Sequence, residues 1–159
     1  MDDLLGLNSM MISSLSKKQV PEISYAPFLR DRDKIYLYLS ETANHYENLS
    51  THRDCSVMAI EDEGHLDNIY KRRRLSFHAH AEKVETVDEK IETLYAERHG
   101  KENYDHIKTA HNFDWFVLTL KKGRLVEGFG KAYDVFPTVE GEFDLRPVTF
   151  KNVHKHDHT

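Results

Sequence analysis

The sequence predicts an α+β protein built around an antiparallel β-barrel with peripheral helices. Roughly six to eight short segments have the alternation or composition of strands, and two or three have helical spacing. Most connections between the predicted strands are too short for the crossovers that parallel strands require. The length of 159 residues suits one domain, so we expect a single domain over residues 1–159 with a histidine-rich tail at 151–159.

Two of the first three segments indicate strands. Met10–Leu15 is an apolar run that ends in a polar, turn-like cluster. Val20–Phe28 alternates with a period of two, as a strand does. Lys34–Leu39 is rich in β-forming residues, and the charged turn Arg30–Asp33 before it predicts that it is the second arm of a hairpin.

Helices and strands alternate through the middle of the chain. A helix is predicted from Ser40, as the N-cap, to Leu49, and a strand at Asp54–Ile60. Leu75–Ala81 alternates so that Leu75, Phe77, Ala79 and Ala81 face one side and Ser76, His78 and His80 face the other. Val87–His99 has helical spacing, and the polar residues 101–113 predict a further helix and a loop.

The last third contains the most apolar strand. Asp114–Leu120 predicts a buried strand that ends in a turn at Lys122–Gly123. Arg124–Glu127 is expected to pair with Lys131–Phe136 around the glycines between them. A final short strand is predicted at Val148–Phe150.

Composition excludes several classes of function. A net charge of −5 argues against nucleic acid as a partner. No apolar run approaches the ~20 residues that span a bilayer, and the acidic N-terminus lacks the bases of a signal peptide, so we expect a cytoplasmic protein with no membrane partner. The single Cys55 excludes an intrachain disulfide or a cysteine-cluster metal site, and its apolar surroundings predict a core position.

Histidine provides the first chemical lead, because the chain has 11 of them and three, His154, His156 and His158, fall in the last six positions. Such a tail is either a solvated terminus that binds metal by chance or an arm that carries an axial ligand. A zinc site is less persuasive, because alternating histidines on a terminus lack packed side chains to orient them.

Two other candidates also have two interpretations, and a third has one. The basic run Lys71–Arg74 is either a solvated cluster that balances Glu61–Glu63 or a clamp for a carboxylate or phosphate. Asp114 is either a solvated acid at the end of a strand or a carboxylate that orients an imidazole. His45, inside the predicted helix, is interpreted as structural from the sequence alone.

Six segments occur in an order that characterises one family of proteins. They are Ser24–Phe28, Ala43–Leu49, Met58–Asp62, Arg72–Phe77, Asp114–Leu118 and Gly128–Ala132. Together they resemble the haem-utilisation (HugZ/HutZ-type) proteins, a branch of the pyridoxamine 5′-phosphate oxidase-like, FMN-binding split-barrel superfamily. The resemblance covers roughly residues 10–155.

The resemblance implies a homodimeric split β-barrel with ligand sites at the dimer interface. The family's haem-binding tail histidine falls on His154, with His156 as the rival because Val153 replaces the usual glycine. The family's acid falls on Asp114 and is expected to hydrogen-bond the axial histidine of the other subunit. The family's arginine falls on Arg74, which is expected to lie on the distal side of the haem or to bind its propionates. Two further cofactor-binding candidates accompany these residues, namely Arg73 and the family histidine His45.

The expected function is haem binding and oxidative haem degradation that releases iron, with electrons from an external donor. One neutral imidazole leaves a coordination position open on the iron, whereas two would close it. Two alternatives remain from the same resemblance. One is an FMN-dependent oxidoreductase in which Arg72 to Arg74 bind the flavin phosphate, although that phosphate site is not readable in this sequence. The other is a non-catalytic haem carrier.

Overall fold

The structure is a computed structural model that describes residues 1–149. These residues form one antiparallel sheet of nine strands and four helices. The strands are β1 (Ser9–Leu15), β2 (Pro21–Pro27), β3 (Leu29–Asp31), β4 (Lys34–Ser40), β5 (Asp54–Ile60), β6 (Arg74–Val84), β7 (Phe113–Gly128), β8 (Lys131–Pro137) and β9 (Phe143–Pro147). The helices are α1 (Asp2–Leu5), α2 (Asn44–Thr51), α3 (Glu89–His99) and α4 (Lys101–Lys108). Two short 3₁₀ turns, Glu63–His65 and Ile69–Lys71, lead into β6.

Strand β7 organises the sheet, whose main order is β2-β1-β5-β6-β7-β4-β3. On one edge β7 pairs with β6 along nearly its whole length. Its other edge is divided between two strands: β4 pairs with Phe113–Thr119, and β8 pairs with Gly123–Gly128. The antiparallel pairing of all nine strands with a few helices confirms the predicted α+β class and antiparallel split β-barrel.

A β-bulge lies where the edge of β7 divides. Gly123 pairs with Phe77, but Leu120 already pairs with Ala79, so two lysines of β7 oppose His78 alone. A Cβ atom at Gly123 would lie 2.5 Å from both a Phe77 ring carbon and the carbonyl oxygen of Ser76. The predicted turn at Lys122–Gly123 is therefore wrong, because the glycine permits close packing inside a continuous strand.

The barrel interior is the main core, and β6 contributes its predicted face to it. Leu75, Phe77, Ala79 and Ala81 are all buried, as their alternation predicted. Cys55 is also buried in this core, as predicted, and burial raises the pKa of its thiol to about 12. A second cluster lies beneath α3 and α4 and is built largely from aromatic residues. Its members include Tyr38, Tyr95, Tyr104 and Trp115.

Strand pairing in the first part of the chain differs from the prediction. The segment predicted at Val20–Phe28 forms β2, but β2 pairs with β1 rather than with β4. The hairpin partner of β4 is the three-residue strand β3, whose charged turn includes Arg32. Alternation identified the strands, but it carries no information on which two strands share hydrogen bonds.

Two predicted element boundaries are also wrong. Ser40 is the last residue of β4, and α2 begins at Asn44 after Ala43, which provides no side-chain cap. The Ser40 hydroxyl instead bonds with Thr42, in the turn between the two elements. The last strand lies at Phe143–Pro147, whereas Val148 and Thr149 are outside any strand and Phe150 is outside the described residues.

Candidate functional site

Asp114 and Arg74 lie at opposite ends of the ladder that joins β6 and β7. Asp114 pairs with Leu39 near the start of β7, whereas Arg74 pairs with Val126, twelve positions further along β7. At about 3.3 Å per residue, roughly 40 Å of strand separates the two positions. One protomer therefore does not bring these two predicted site residues together.

Arg74 lies beside an open, mostly apolar cavity of about 330 Å³. The cavity wall includes Tyr70 and Phe129, whose rings stack at 6.2 Å with an interplanar angle of 26°. Both rings are largely exposed, 74% for Tyr70 and 61% for Phe129. The remaining lining residues are Val126, Gly128, Gly130, Lys131, Ala132, Val148 and Thr149. The arginine thus stands at a flat apolar surface that residues 1–149 leave uncovered.

The three arginines before β6 have different partners. Arg73 donates to both carboxylate oxygens of Asp3, at 2.6 and 3.0 Å, and to Glu127 at 2.7 Å. These contacts raise the pKa of Arg73 and lower the pKa values of both acids. Arg72 bonds with Glu63 at 3.0 Å. Arg74 donates to the carbonyl oxygen of Arg72, at 2.9 Å, and within residues 1–149 it has no carboxylate partner. Of the three, Arg74 is therefore best placed to bind an external anion.

The cavity borders a broad sheet face that points away from the core, which we call the outer face. Its side chains come from β2, β1, β5, β6 and the second half of β7. They include Met11, Ile23, Tyr25, Met58, Arg74, Ser76, Arg124 and Val126. Ile23 is 73% exposed and Tyr25 is 67% exposed. A contiguous face that exposes such large apolar side chains is typical of a surface that a partner covers.

Asp114 lies at the end of the barrel opposite to Arg74. Its Oδ2 atom accepts a short hydrogen bond from the hydroxyl of Tyr46, which lies on α2. The Nζ atom of Lys83 lies 3.4 Å from the same hydroxyl oxygen. Burial and the neighbouring carboxylate raise the pKa of Tyr46 to about 12, so the phenol keeps its proton at neutral pH. Asp114 is therefore held by a packed residue rather than solvated freely.

His45 is engaged in a separate polar contact between α2 and β2. Its Nδ1 atom lies 2.7 Å from the hydroxyl oxygen of Ser24, and its side chain is almost fully buried. Burial lowers the pKa of the imidazole, because the charged form is the costlier one to bury. Nearby, the amide of Asn48 donates to Ser14 and Glu22 at 3.1 and 2.8 Å. The contact joins His45 to neither Arg74 nor Asp114.

The predicted tail ligands, His154 and His156, lie outside the described residues. The chain nevertheless approaches the tail beside the Arg74 cavity. The backbone N–H of Val148 donates to the carbonyl oxygen of Ala132 at 2.9 Å, and Thr149 lines the cavity wall. The last described residues, Val148 and Thr149, therefore lie beside Arg74 at the start of β6.

Sequence reasoning missed three residues of these sites. Tyr46 follows His45 within a segment that drew attention only for its histidine, and Phe129 stood between glycines that indicated a turn. Tyr70 directly precedes the basic run. For Tyr46 and Tyr70, the available signal was an aromatic residue next to a polar candidate. Only the folded chain shows that Tyr70 and Phe129 stack on each other.

No helix within the described range, residues 1–149, combines the length and the hydropathy that a membrane crossing needs.

Comparison with known proteins identifies relatives of the whole barrel. A model of the family described as pyridoxamine 5′-phosphate oxidase matches residues 2–127. Over 130 residues the chain is 32% identical to the heme oxygenase HutZ of Vibrio cholerae, an alignment that covers 80% of this chain and 73% of HutZ.

Two solved structures share the fold and more than a quarter of the aligned sequence. The crystal structure of Campylobacter jejuni ChuZ matches with a TM-score of 0.81 and 27% identity over 94% of this chain. The chain spans 61% of the length of that ChuZ chain. The crystal structure of Vibrio cholerae HutZ, described there as the heme storage protein, matches with a TM-score of 0.69 and 27% identity. It covers 76% of this chain and 87% of the HutZ chain.

Proposed function

Because the chain belongs to the haem-utilisation (HutZ-type) branch of the pyridoxamine 5′-phosphate oxidase family, we propose that it binds haem at a homodimer interface and degrades it oxidatively, releasing iron. The observation that carries the proposal is the apolar cavity at Arg74, on a sheet face that the chain itself leaves uncovered. The 32% identity to a heme oxygenase supports the same conclusion.

The cavity residues suit a porphyrin. A porphyrin is a flat conjugated ring with two carboxylates at one edge, so it needs an apolar wall beside a cation. Tyr70 and Phe129 offer a flat aromatic wall, and the Arg74 guanidinium is not committed to another acid within residues 1–149. The cavity is open on one side, so a second surface is required to enclose the ligand.

A second copy of this chain is the partner that best supplies that surface. The exposed apolar side chains of the outer face, such as Ile23 and Tyr25, are continuous with the strands that carry the cavity. Two such faces related by a two-fold axis would cover each other, which is the commonest symmetry of soluble oligomers. The resemblance to the haem-utilisation family implies the same assembly.

The proposed iron ligand is His154, with His156 as the alternative. His154 lies five residues beyond Thr149, so its Cα atom can lie at most about 18 Å from Thr149 in the cavity wall. Asp114 of the same chain lies at the far end of roughly 40 Å of strand. A contact between the His154 imidazole and an Asp114 carboxylate is therefore expected between subunits, as the family resemblance also implies.

Each residue has a definite task in this proposal. Haem, once bound, would supply the redox chemistry that oxidises its own ring, with electrons from an external donor. Arg74 pairs with a propionate, and Tyr70 and Phe129 exclude water from the ring. His154 donates its imidazole nitrogen to the iron, and Asp114 accepts the N–H of that imidazole and so increases its electron donation.

Haem titration of two matched variants tests the proposal. His154→Ala should replace the sharp Soret band of the ligated complex with the broad band of loosely held haem. His156→Ala should retain the sharp band. Both variants should keep the dimer mass, because a tail residue contributes little to the core. Survival of the sharp band in both variants would refute ligation by this part of the tail, and the reverse pattern would assign the ligand to His156.

A haem carrier is the second candidate, because the HutZ crystal structure is described as that of a heme storage protein. The haem complex with reductant and catalase under air separates the two functions, since catalase removes free peroxide and only an enzyme then loses its Soret band as the ring opens. The FMN alternative is weaker. Arg72 and Arg73 already bind Glu63, Asp3 and Glu127, so two of its three predicted phosphate ligands are occupied.

A further inference from the structure

Tyr46 is fixed in position from three directions. Its ring packs edge-to-face on Phe116 of the core, with centroids 5.1 Å apart and an interplanar angle of 78°. Its hydroxyl donates to Oδ2 of Asp114. The Nζ atom of Lys83 lies 3.4 Å from the phenol oxygen and 5.4 Å from the ring centroid. Neither the phenol nor the carboxylate that it contacts can turn freely.

We propose that Tyr46 is a positioning residue for haem binding, which holds the Asp114 carboxylate in one orientation and reduces its strength as a hydrogen-bond acceptor. A carboxylate has two oxygens. Tyr46 occupies Oδ2, whereas no donor within residues 1–149 bonds to Oδ1. In the proposed function, this oxygen is the one that would accept the imidazole N–H of His154 from the other subunit. The inference rests on the proposed function, which assigns Asp114 that role.

The direction of the effect follows from charge. A phenol that donates to a carboxylate withdraws part of its negative charge, so less remains for a second donor. The ammonium of Lys83 beside the phenol oxygen polarises the O–H bond and strengthens this donation. An imidazole bonded to the weaker acceptor has less anionic character and donates less electron density to the iron. Tyr46 should therefore make the bound iron easier to reduce than Asp114 alone would.

The test compares four variants of the full chain loaded with haem: Tyr46→Phe, Asp114→Asn, the double variant and Lys83→Met. The readouts are the iron–histidine stretching frequency of the ferrous complex and the midpoint potential of the iron. Tyr46→Phe keeps the ring on Phe116 and should raise the frequency and lower the potential. Asp114→Asn should have the opposite effects, and in its background the Tyr46 substitution should cause no further shift.

Lys83→Met should shift both readouts in the same direction as Tyr46→Phe but by less. Because Lys83 is exposed, this variant keeps the test available if Tyr46→Phe fails to fold. The matched control is Tyr133→Phe, the same change in another tyrosine that packs on the main core, and it should shift neither readout.

The possible failures are distinguishable. If Asp114→Asn shifts both readouts and Tyr46→Phe shifts neither, the inference is overturned and the proposed role of Asp114 stands. If Tyr46→Phe shifts them equally in the wild-type and the Asp114→Asn backgrounds, Tyr46 does not act through the carboxylate, which also overturns the inference. If Asp114→Asn shifts neither readout, the proposed imidazole contact itself is wrong.

Discussion

The two halves of strand β7 carry similar apolar side chains in different surroundings. In the first half, Trp115 points outward and is covered by α3 and α4. The ring of Tyr95 on α3 packs edge-to-face on Trp115, with the ring centroids 5.0 Å apart. In the second half, Val126 points outward beside the exposed ring of Phe129. The chain thus completes one half of its sheet with its own helices and leaves the other half for a partner and a ligand.

The difference has a physical cause in the order of the elements. The α3–α4 pair connects β6 to β7, so it can cover only the sheet near the ends that it joins, Val84 and Phe113. At the other end, β7 turns directly into β8 through Gly128–Gly130. No helix is inserted there, and a hairpin turn is too short to cover a sheet face.

The largest expected effect is on stability in the covered half. Trp115→Ala should lower the free energy of unfolding by about 3–5 kcal/mol, because it leaves a cavity among packed rings. Phe129→Ala, the matched change in the uncovered half, should cost less than about 0.5 kcal/mol because that ring is already exposed. Urea unfolding of the apo protein in the Ile23→Lys background, which keeps the chain monomeric, measures both without the contribution of a partner subunit. Equal losses would mean that the two halves are equally packed.

The next effect is on assembly through the outer face. Ile23→Lys should raise the dimer dissociation constant at least about 100-fold, since an unpaired charge in an apolar interface costs about 3 kcal/mol or more. Leu94→Lys is the control, because Leu94 is an exposed residue of α3, on the covered half. Sedimentation should give a mass near 18.7 kDa for the first variant and twice the chain mass for the second. A dimer that survives Ile23→Lys would place the interface elsewhere.

A smaller effect, on haem affinity and turnover, is expected from substitution of Asp114, which lies in the covered half. Asp114→Asn should keep the fold but weaken haem binding about 10-fold, and at most about 100-fold, and slow haem turnover, because an amide is a poorer acceptor for imidazole N–H. Asp54→Asn is a suitable control, since Asp54 is exposed. Within residues 1–149 its one ionisable partner is His80, whose Nδ1 atom lies 3.1 Å from the Asp54 carboxylate. Wild-type affinity and turnover in Asp114→Asn would reduce Asp114 to a strand-end acid.

The smallest effect concerns pH and the ion cluster at the Arg74 end. Arg73 lowers the pKa values of Asp3 and Glu127, so their contribution to stability is present above the unfolded pKa values of about 4. That contribution is lost as pH falls through the lower folded values. Arg73→Met should therefore cost at most about 1 kcal/mol at pH 7, since Asp3 is exposed, and the difference from wild type should shrink towards pH 2.

Chemical unfolding across that pH range checks this prediction. Tyr46→Phe offers a comparison at the other barrel end, because no arginine among residues 1–149 contacts Asp114 there. A difference between Arg73→Met and wild type that stays constant from pH 7 to pH 2 would show that Arg73 acts through packing rather than charge.

Much of the fold could be predicted because it depends on local pattern. The strand at Asp54–Ile60 was predicted to the residue, and the inward face of β6 follows from alternation alone. The bulge at Gly123 could not be predicted in this way, because the same dipeptide, Lys122–Gly123, also occurs in turns. Only the approach of Phe77 distinguishes the two, and Phe77 is remote in sequence.

The site was only partly predictable for the same reason. Resemblance and charge selected Arg74 and Asp114 as candidates, but no local signal reveals that the β6–β7 ladder holds them at opposite ends. The contact between Tyr46 and Asp114 joins positions 68 residues apart. Such contacts depend on how α2 docks on the barrel, which involves burial of surfaces from several elements at once.

The sequence by itself determined most of the strands, the apolar side of those strands and the family that the motifs resemble. These properties repeat every two residues or lie within short motifs, so neighbouring residues suffice to specify them. Only the tertiary structure decided that β2 joins β1, that β7 runs on through Gly123 and that Arg73 is paired while Arg74 stays available. Those outcomes depend on competition among distant segments for the same hydrogen bonds and the same buried volume, and no single segment encodes that competition.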